Sequence, residues 1–332
     1  MLFQRLSQLR RRLLTAGGSA AVVALSAGML AAPAHATDDY PTKPVTIVVP
    51  YSPGSASDTT ARFISEKLGP RLNVPVVIEN KPGASGTIGA AYVGRADPDG
   101  YTLVLTSSST HSATPALFRN LPFDPTEDFK HIIRVVTIPM MLVVKADSPY
   151  QTADDLIKAS RTQPLNYAYG SSTSQIAGAT FNKVSGAEAN GVPYKSQPPA
   201  VTDLLGGHVD YLFADLSVIT QFIQGGQLRA LAFTDQARSE VFPDVPTMQE
   251  LGHPFDLVVW VGLAAPAKTP DAVAERLNAE ITEILKDPAV AERFQSLGMK
   301  LAPNTVAEHK AFTLKQREVW TQRAVDAGIE AQ

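Results

Sequence analysis

The chain has 332 residues, 44% hydrophobic and 18% charged, with a formal net charge of −3 and no cysteine. Such a chain can bury enough apolar surface to offset its ordering entropy, which excludes a disordered protein, and its length suits two domains of about 150 residues each. The missing cysteines exclude disulfide frameworks, thiolate metal sites, thiol nucleophiles and a lipidated-cysteine anchor.

The first 36 residues carry four arginines (Arg5, Arg10, Arg11, Arg12) and no acid, then a weakly apolar run from Leu13 to Ala32 and the small-residue pattern Pro33-Ala34-His35-Ala36. This reads as a secretory signal peptide cut before Thr37, through either the general secretory or the twin-arginine route, and so as an exported, periplasmic protein. The remainder holds 25 basic and 32 acidic residues, net −7, which disfavours nucleic acid as a partner because that affinity comes mainly from neutralised phosphates.

From Lys43 onward, short apolar strands alternate with amphipathic helices. Val45 to Val49 is a continuous apolar run, broken by Tyr51-Ser52-Pro53-Gly54-Ser55, and Ala61, Ile64 and Leu68 then have helical spacing up to a stop expected at Gly69-Pro70. Strands are expected at Val76 to Ile78 and Leu103 to Leu105, with a helix from Ile88 to Ala96. A second series starts at Met140 to Val144. It continues with a helix opened by the capping pair Thr152 and Asp155, strands at Leu165 to Tyr169, Val209 to Ala214 and Leu228 to Phe233, and helices to about Val184 and from Pro199 to Leu205. The last 65 residues are mainly helical; Thr305 and Glu308 cap a closing helix that carries Phe312 and Trp320. The pattern predicts an α/β protein with parallel-rich sheets flanked by helices, in two lobes, whose chain returns to the first lobe. The lobes are residues 37–137 plus 259–332 and residues 138–258.

Three of the strands end in loops rich in Gly, Ser and Thr: Tyr51 to Asp58, Thr106 to Thr110 and Gly170 to Ser174. In open parallel sheets ligands sit at such carboxyl ends, where amides, hydroxyls and helix N-termini make a neutral cradle for an anion. Simple helix capping explains any one loop as well; three on corresponding strand ends favour the cradle. No nucleophile elbow, phosphate loop or dinucleotide fingerprint is present, so the chain reads as a non-enzyme without a cofactor. The histidines after residue 36 (His111, His131, His208, His253, His309) are scattered without ligand spacing, and most are expected at the surface or in caps, with His111 a candidate for the cleft. Asp58 can cap its helix and pair with Arg62 or receive a ligand ammonium group, the first being favoured; Asp215 faces the same choice with a better claim on the cleft.

Lys43-Pro44-Val45-Thr46-Ile47-Val48-Val49-Pro50-Tyr51-Ser52-Pro53-Gly54 followed by Asp58-x-x-Ala61-Arg62 resembles the opening motif of the Bug family, the periplasmic substrate-binding proteins of tripartite tricarboxylate transporters. Val77-Ile78-Glu79-Asn80-Lys81-Pro82-Gly83-Ala84-Ser85-Gly86, Pro98-Asp99-Gly100-Tyr101-Thr102-Leu103, Pro193-Tyr194-Lys195 with Asp203-Leu204-Leu205-Gly206-Gly207, and Trp260-Val261-Gly262-Leu263 with Ala265-Pro266-Ala267 extend the resemblance in order along the chain. It implies a type II-like, flytrap-shaped periplasmic binding protein, monomeric, that captures a small organic carboxylate for inner-membrane permease subunits; the alternative is a receptor that presents its solute to a sensor kinase. Carried over by motif, the ligand-binding residues would be Tyr51, Ser52, Gly54, Ser55, Thr106, Ser107 and Ser108 from the first lobe. The second lobe would add Gly170, Ser171, Ser172, Thr173, Tyr194, Lys195, Ser196 and Asp215. Ser55, Ser196 and Gln175 depart from the family pattern within these loops, so the ligand of a relative does not transfer.

Overall fold

Ten strands make a single mixed sheet in the computed structural model, which describes residues 40–332; the leader reading of residues 1–36 lies outside the described residues. They are β1 (Val45–Val49), β2 (Val76–Asn80), β3 (Thr102–Ser107), β4 (Phe129–Lys145), β5 (Leu165–Tyr169), β6 (Ala189–Pro193), β7 (Tyr211–Asp215), β8 (Leu228–Phe233), β9 (Val258–Pro266) and β10 (Lys300–Leu301). The order is β2-β1-β3-β9-β4-β7-β5-β6, with β8 and β10 also paired to β4. The expected parallel pairs lie towards the two ends, β2-β1-β3 and β7-β5-β6. The middle is antiparallel, because β4 and β9 run against their neighbours.

Strand β4 is the element that sequence pattern missed. Only Met140 to Val144 reads as a strand, yet the strand begins at Phe129 and runs for 17 residues. Lys130, His131 and Arg134 interrupt its apolar run, and two irregularities, between His131 and Ile133 and between Arg134 and Val136, break the alternation of faces. Each bulge lets two consecutive residues, Ile132 with Ile133 and Val135 with Val136, be buried together. From Phe129 to Pro139 the strand pairs with β9; from Met140 it pairs with β7 and β8. Pro139 falls at the changeover, where the β9 ladder ends and its missing N–H does least harm.

The helix expected to stop at Gly69-Pro70 spans Ala56–Leu72 and carries Pro70 within its last turn. Burial of Leu72 anchors that extra turn, and Asn73, in the left-handed conformation at φ 57°, closes it with its N–H on the carbonyls of Gly69 and Pro70. The capping boxes at Thr152 with Asp155 and at Thr305 with Glu308 form as expected, opening the helices Ala153–Ser160 and Val306–Asp326. The closing helix, with Trp320 fully buried, packs against β4 and against the turn Ser109–Ala113 that follows β3. The chain's end therefore braces the loops at the carboxyl end of the first parallel group.

The histidine expectation is corrected. His111, His131 and His309 are buried, their rings meeting edge to face at 5.9 and 5.5 Å between centroids, inside a shell of Phe123, Phe129 and Trp260. Their residue type gave no sign of this, because a neutral imidazole fills an aromatic site almost as phenylalanine does. Burial pushes the His131 imidazole down to about 4, with Lys310 adding to the effect and the nearby Pro125 carbonyl opposing it. Burial holds His111 and His309 well below the usual histidine range.

Each depressed histidine is neutral in the fold and protonated in the unfolded chain between its two pKa values. For His131 the stabilisation is complete above about pH 6.5, the free-histidine value, and is lost as pH falls towards 4. For His131 alone the loss by pH 4 is on the order of 3 kcal/mol. A calorimetric melting series from pH 7.5 to 4.5 is expected to show a falling midpoint, and His131→Phe is expected to flatten that fall. An identical slope in the variant would contradict the account.

Candidate functional site

Four helices begin at one place. The helices Ala56–Leu72, Ser172–Ser185, Gln197–Gly206 and Leu216–Gln224 start at or next to residues that line a common cleft. The geometry follows from the strand ends: β1 delivers Tyr51, β3 delivers Ser107 and Ser108, β5 delivers Gly170 and Ser171, and β7 ends at Asp215. A helix start leaves its first N–H groups without intrahelical partners and carries a partial positive charge, so the cleft offers an anion donors although no cationic side chain lines it among the described residues. Ser55 accepts the Asp58 N–H at 3.2 Å and Ser171 the Ser174 N–H at 3.2 Å, while the N–H groups of Ala56, Ser57 and Thr173 have no acceptor among the described residues. Those three donors belong to residues of the cleft wall.

Among the described residues, Tyr51 and Asp215 are the two ionisable side chains lining the cleft. The Tyr51 hydroxyl donates to the Ser85 carbonyl at 3.3 Å and lies 3.4 Å from the Ser107 hydroxyl. Burial pushes it up to about 12, the Ser107 and Ser109 hydroxyls opposing and the Asp215 charge adding, so it remains a donor at neutral pH. Burial likewise pushes the Asp215 carboxyl up to about 6, with Gln197 opposing. The Asp215 N–H donates to Gln197 Oε1 at 2.9 Å, but Asp215 Oδ1 is buried with no partner.

Eight of the anticipated residues therefore meet at the cleft: Tyr51, Ser55, Ser107, Ser108, Gly170, Ser171, Thr173 and Asp215. Gly170 is required by close approach, since a Cβ there would lie 2.1 Å from the Ser196 carbonyl carbon. Ser196 itself is buried but does not line the cleft, and its hydroxyl has no partner. Thr106 is likewise buried within β3, off the wall. Ser172 bridges the two parallel groups instead: its N–H donates to Ser109 Oγ at 3.0 Å and its hydroxyl pairs with that of Thr114 at 2.7 Å. Ser52 shapes the first loop by accepting the Ser55 N–H at 3.2 Å, and the Gly54 N–H donates to Asp58 at 3.0 Å.

Tyr194 and Lys195 belong to a second cavity, shared with Tyr169, Gln175 and the C-terminal Gln332, where the Tyr194 hydroxyl donates to Asp203 at 2.7 Å. The turn after β6 carries them away from the helix starts. Asp58 is structural, as favoured: it accepts from Arg62 at 2.9 and 3.0 Å and from Asn80 at 2.9 Å. Burial works against its charge, yet these bonds and the Arg62 guanidinium hold its carboxyl below the usual range. His111 stands just behind the wall, with Nδ1 2.7 Å from the Thr110 hydroxyl.

Sequence reasoning missed Ala56, Ser57, Ser109, Gln197 and Val259 to Val261 in the wall. Ser109 lies within the recognised serine run and Gln197 two residues past the Tyr-Lys motif, so proximity could have found both. The β9 residues could not be placed without knowing that β9 crosses beside β3, where Ser108 Oγ accepts the Trp260 N–H at 2.7 Å.

Residues 60–323 match the model of the tripartite tricarboxylate transporter family receptors. The fold is similar to that of the periplasmic binding protein BugD, with a TM-score of 0.84, 34% identity, and coverage of 88% of this chain and 100% of that one. It is also similar to Rpa4515 of R. palustris, solved with adipate (TM-score 0.86, 28% identity, 88% and 100% coverage). MatC of Rhodopseudomonas palustris, solved with bound malate, is a further match (0.81, 29%, 86% and 99%). These relatives are binding proteins, in keeping with a cleft built of helix starts and hydroxyls. The chain belongs to the tripartite tricarboxylate transporter family of solute-binding receptors.

Proposed function

We propose that the protein is a periplasmic receptor that captures a small organic carboxylate in the cleft between two lobes, residues 37–137 plus 259–332 and residues 138–258, and hands it to a membrane permease. The observation that carries this reading is the set of N–H groups on Ala56, Ser57 and Thr173 that find no acceptor among the described residues, at the starts of two helices from opposite sides of one cleft. A carboxylate accepts such donors in pairs, and helix starts favour its charge. Adipate and malate, bound by two of the similar proteins, are small carboxylates of this kind.

Closure follows from the same arrangement. A solute that touches helix starts on both sides binds the closed shape better than the open one, and only that difference can shift the balance between them. The changeover in β4 at Pro139 and Met140 is the natural hinge, since each side of it is tied to a different set of strands. The Ser172 bonds to Ser109 and Thr114 then form the seam.

The test is calorimetric titration of the refolded, solute-free protein with a panel of small mono-, di- and tricarboxylates, followed by Ser107→Ala with Ser171→Ala for the tightest binder. Each lost neutral hydrogen bond is worth about 1 kcal/mol, so the double variant is expected to bind at least about tenfold more weakly. Unchanged affinity would remove these hydroxyls from the site. A panel in which neutral analogues bind as well as carboxylates would overturn the carboxylate reading itself.

A further inference from the structure

We infer that the solute carries a positively charged nitrogen as well as its carboxylate, and that Asp215 receives it. The inference rests on the carboxylate reading above and narrows it from any small carboxylate to an amino-carboxylate. Asp215 occupies the cap position of the helix Leu216–Gln224 but makes no capping bond from its side chain. A capping aspartate turns its carboxylate back onto the N–H groups of the first turn. This one leaves them alone and instead lines the cleft with Oδ1 buried and unpartnered.

Such a group is costly in the empty protein. A buried carboxylate oxygen without a donor forfeits its hydration and gains nothing for it, and native proteins keep few such atoms. The neighbours relieve it only in part, since Gln197 favours the charged form but Oδ1 stays without a partner. Gln197 receives the Asp215 N–H through its side-chain oxygen, Tyr51 directs its hydroxyl to the Ser85 carbonyl, and no lysine, arginine or histidine lines the cleft among the described residues. Lys195, the lysine among the anticipated binding residues, belongs to the second cavity. In the loaded receptor the solute supplies that donor.

Charge counting selects the class. The helix starts favour one bound carboxylate, but a second carboxylate on the same small solute would share an enclosed space with Asp215 and no counter-charge. An ammonium in that place makes a charge-assisted pair instead. Asp58, the other acid near the first helix start, is excluded from this role because Arg62, Asn80 and the Gly54 N–H already occupy it. The raised Asp215 pKa, about 6, fits a carboxylate awaiting a cation, and it sets the pH sense of the effect: the pair requires ionised Asp215, so acidification through 6 weakens it.

The experiment titrates the full chain, refolded free of solute, with matched pairs that differ by one ammonium group: alanine against propionate, 4-aminobutyrate against butyrate, and aspartate against succinate, with adipate, malate and butylamine alongside. At pH 7.5 the best-binding amino-carboxylate is expected to exceed its nitrogen-free partner by at least thirtyfold, and the preference is expected to shrink severalfold at pH 5. Asp215→Asn is expected to abolish the preference, so that the two members of the best-binding pair bind alike. The wild-type comparison and its pH profile decide the matter even where the variant fails to fold. Succinate, adipate or malate binding as tightly as every amino-carboxylate would overturn the inference and leave the carboxylate reading intact. Butylamine alone binding, or nothing binding, would overturn both.

Discussion

A parallel strand ends where the helix that follows it begins, and this one constraint fixes the chemistry of the cleft. The loop after each of β1, β5 and β7 turns within a few residues into a helix, so donors without partners gather on the edge where the strands stop. The fourth helix start, at Gln197, joins them because Gly170 has no side chain to keep it away. Hydroxyl groups at Ser55 and Ser171 satisfy part of the surplus, and what they leave over is the binding capacity of the site. A site made this way needs no lysine or arginine, and so carries no long side chains that would have to be ordered on binding.

The antiparallel centre does a different job. β4 is bonded to β9 and β10 along one stretch and to β7 and β8 along the other, so the two parallel groups share a backbone without sharing a rigid ladder. The closing helix reaches back to the turn after β3 and, through the histidine and aromatic cluster, to the N-terminal part of β4. The first group is thereby held by packing from the end of the chain, whereas the second is held by its own sheet.

The sequence made most of the parallel strands legible because they are short apolar runs followed by turn-forming or hydroxyl-bearing residues, β6 being the exception. β1, β5 and β8 are found at the residues expected, and β7 within two. β4 was legible only in its last third, since its two bulges destroy the period of two on which strand reading depends. β9 went unread as a strand for want of any turn signal tying it to β3. The site was legible where it is made of loop residues close to their strands, as at Ser107 and Ser171. It failed at Tyr194 and Lys195, whose place depends on the direction of a turn rather than on residue type. The buried histidines were illegible in principle, as nothing local distinguishes a neutral imidazole inside an aromatic shell from a solvated one.

The seam at Ser172 has a consequence for the empty receptor. Its N–H meets Ser109 and its hydroxyl meets Thr114 without any solute taking part, and all three side chains are buried. Under the proposed hinge these bonds reward closure whether or not cargo is present, each by about 1 kcal/mol before the water it displaces elsewhere is counted. The empty molecule accordingly spends a standing fraction of its time shut, and a solute finds its doorway open for the rest. Under that hinge, tightness of grip and speed of loading are set against one another by two hydrogen bonds that form without the cargo.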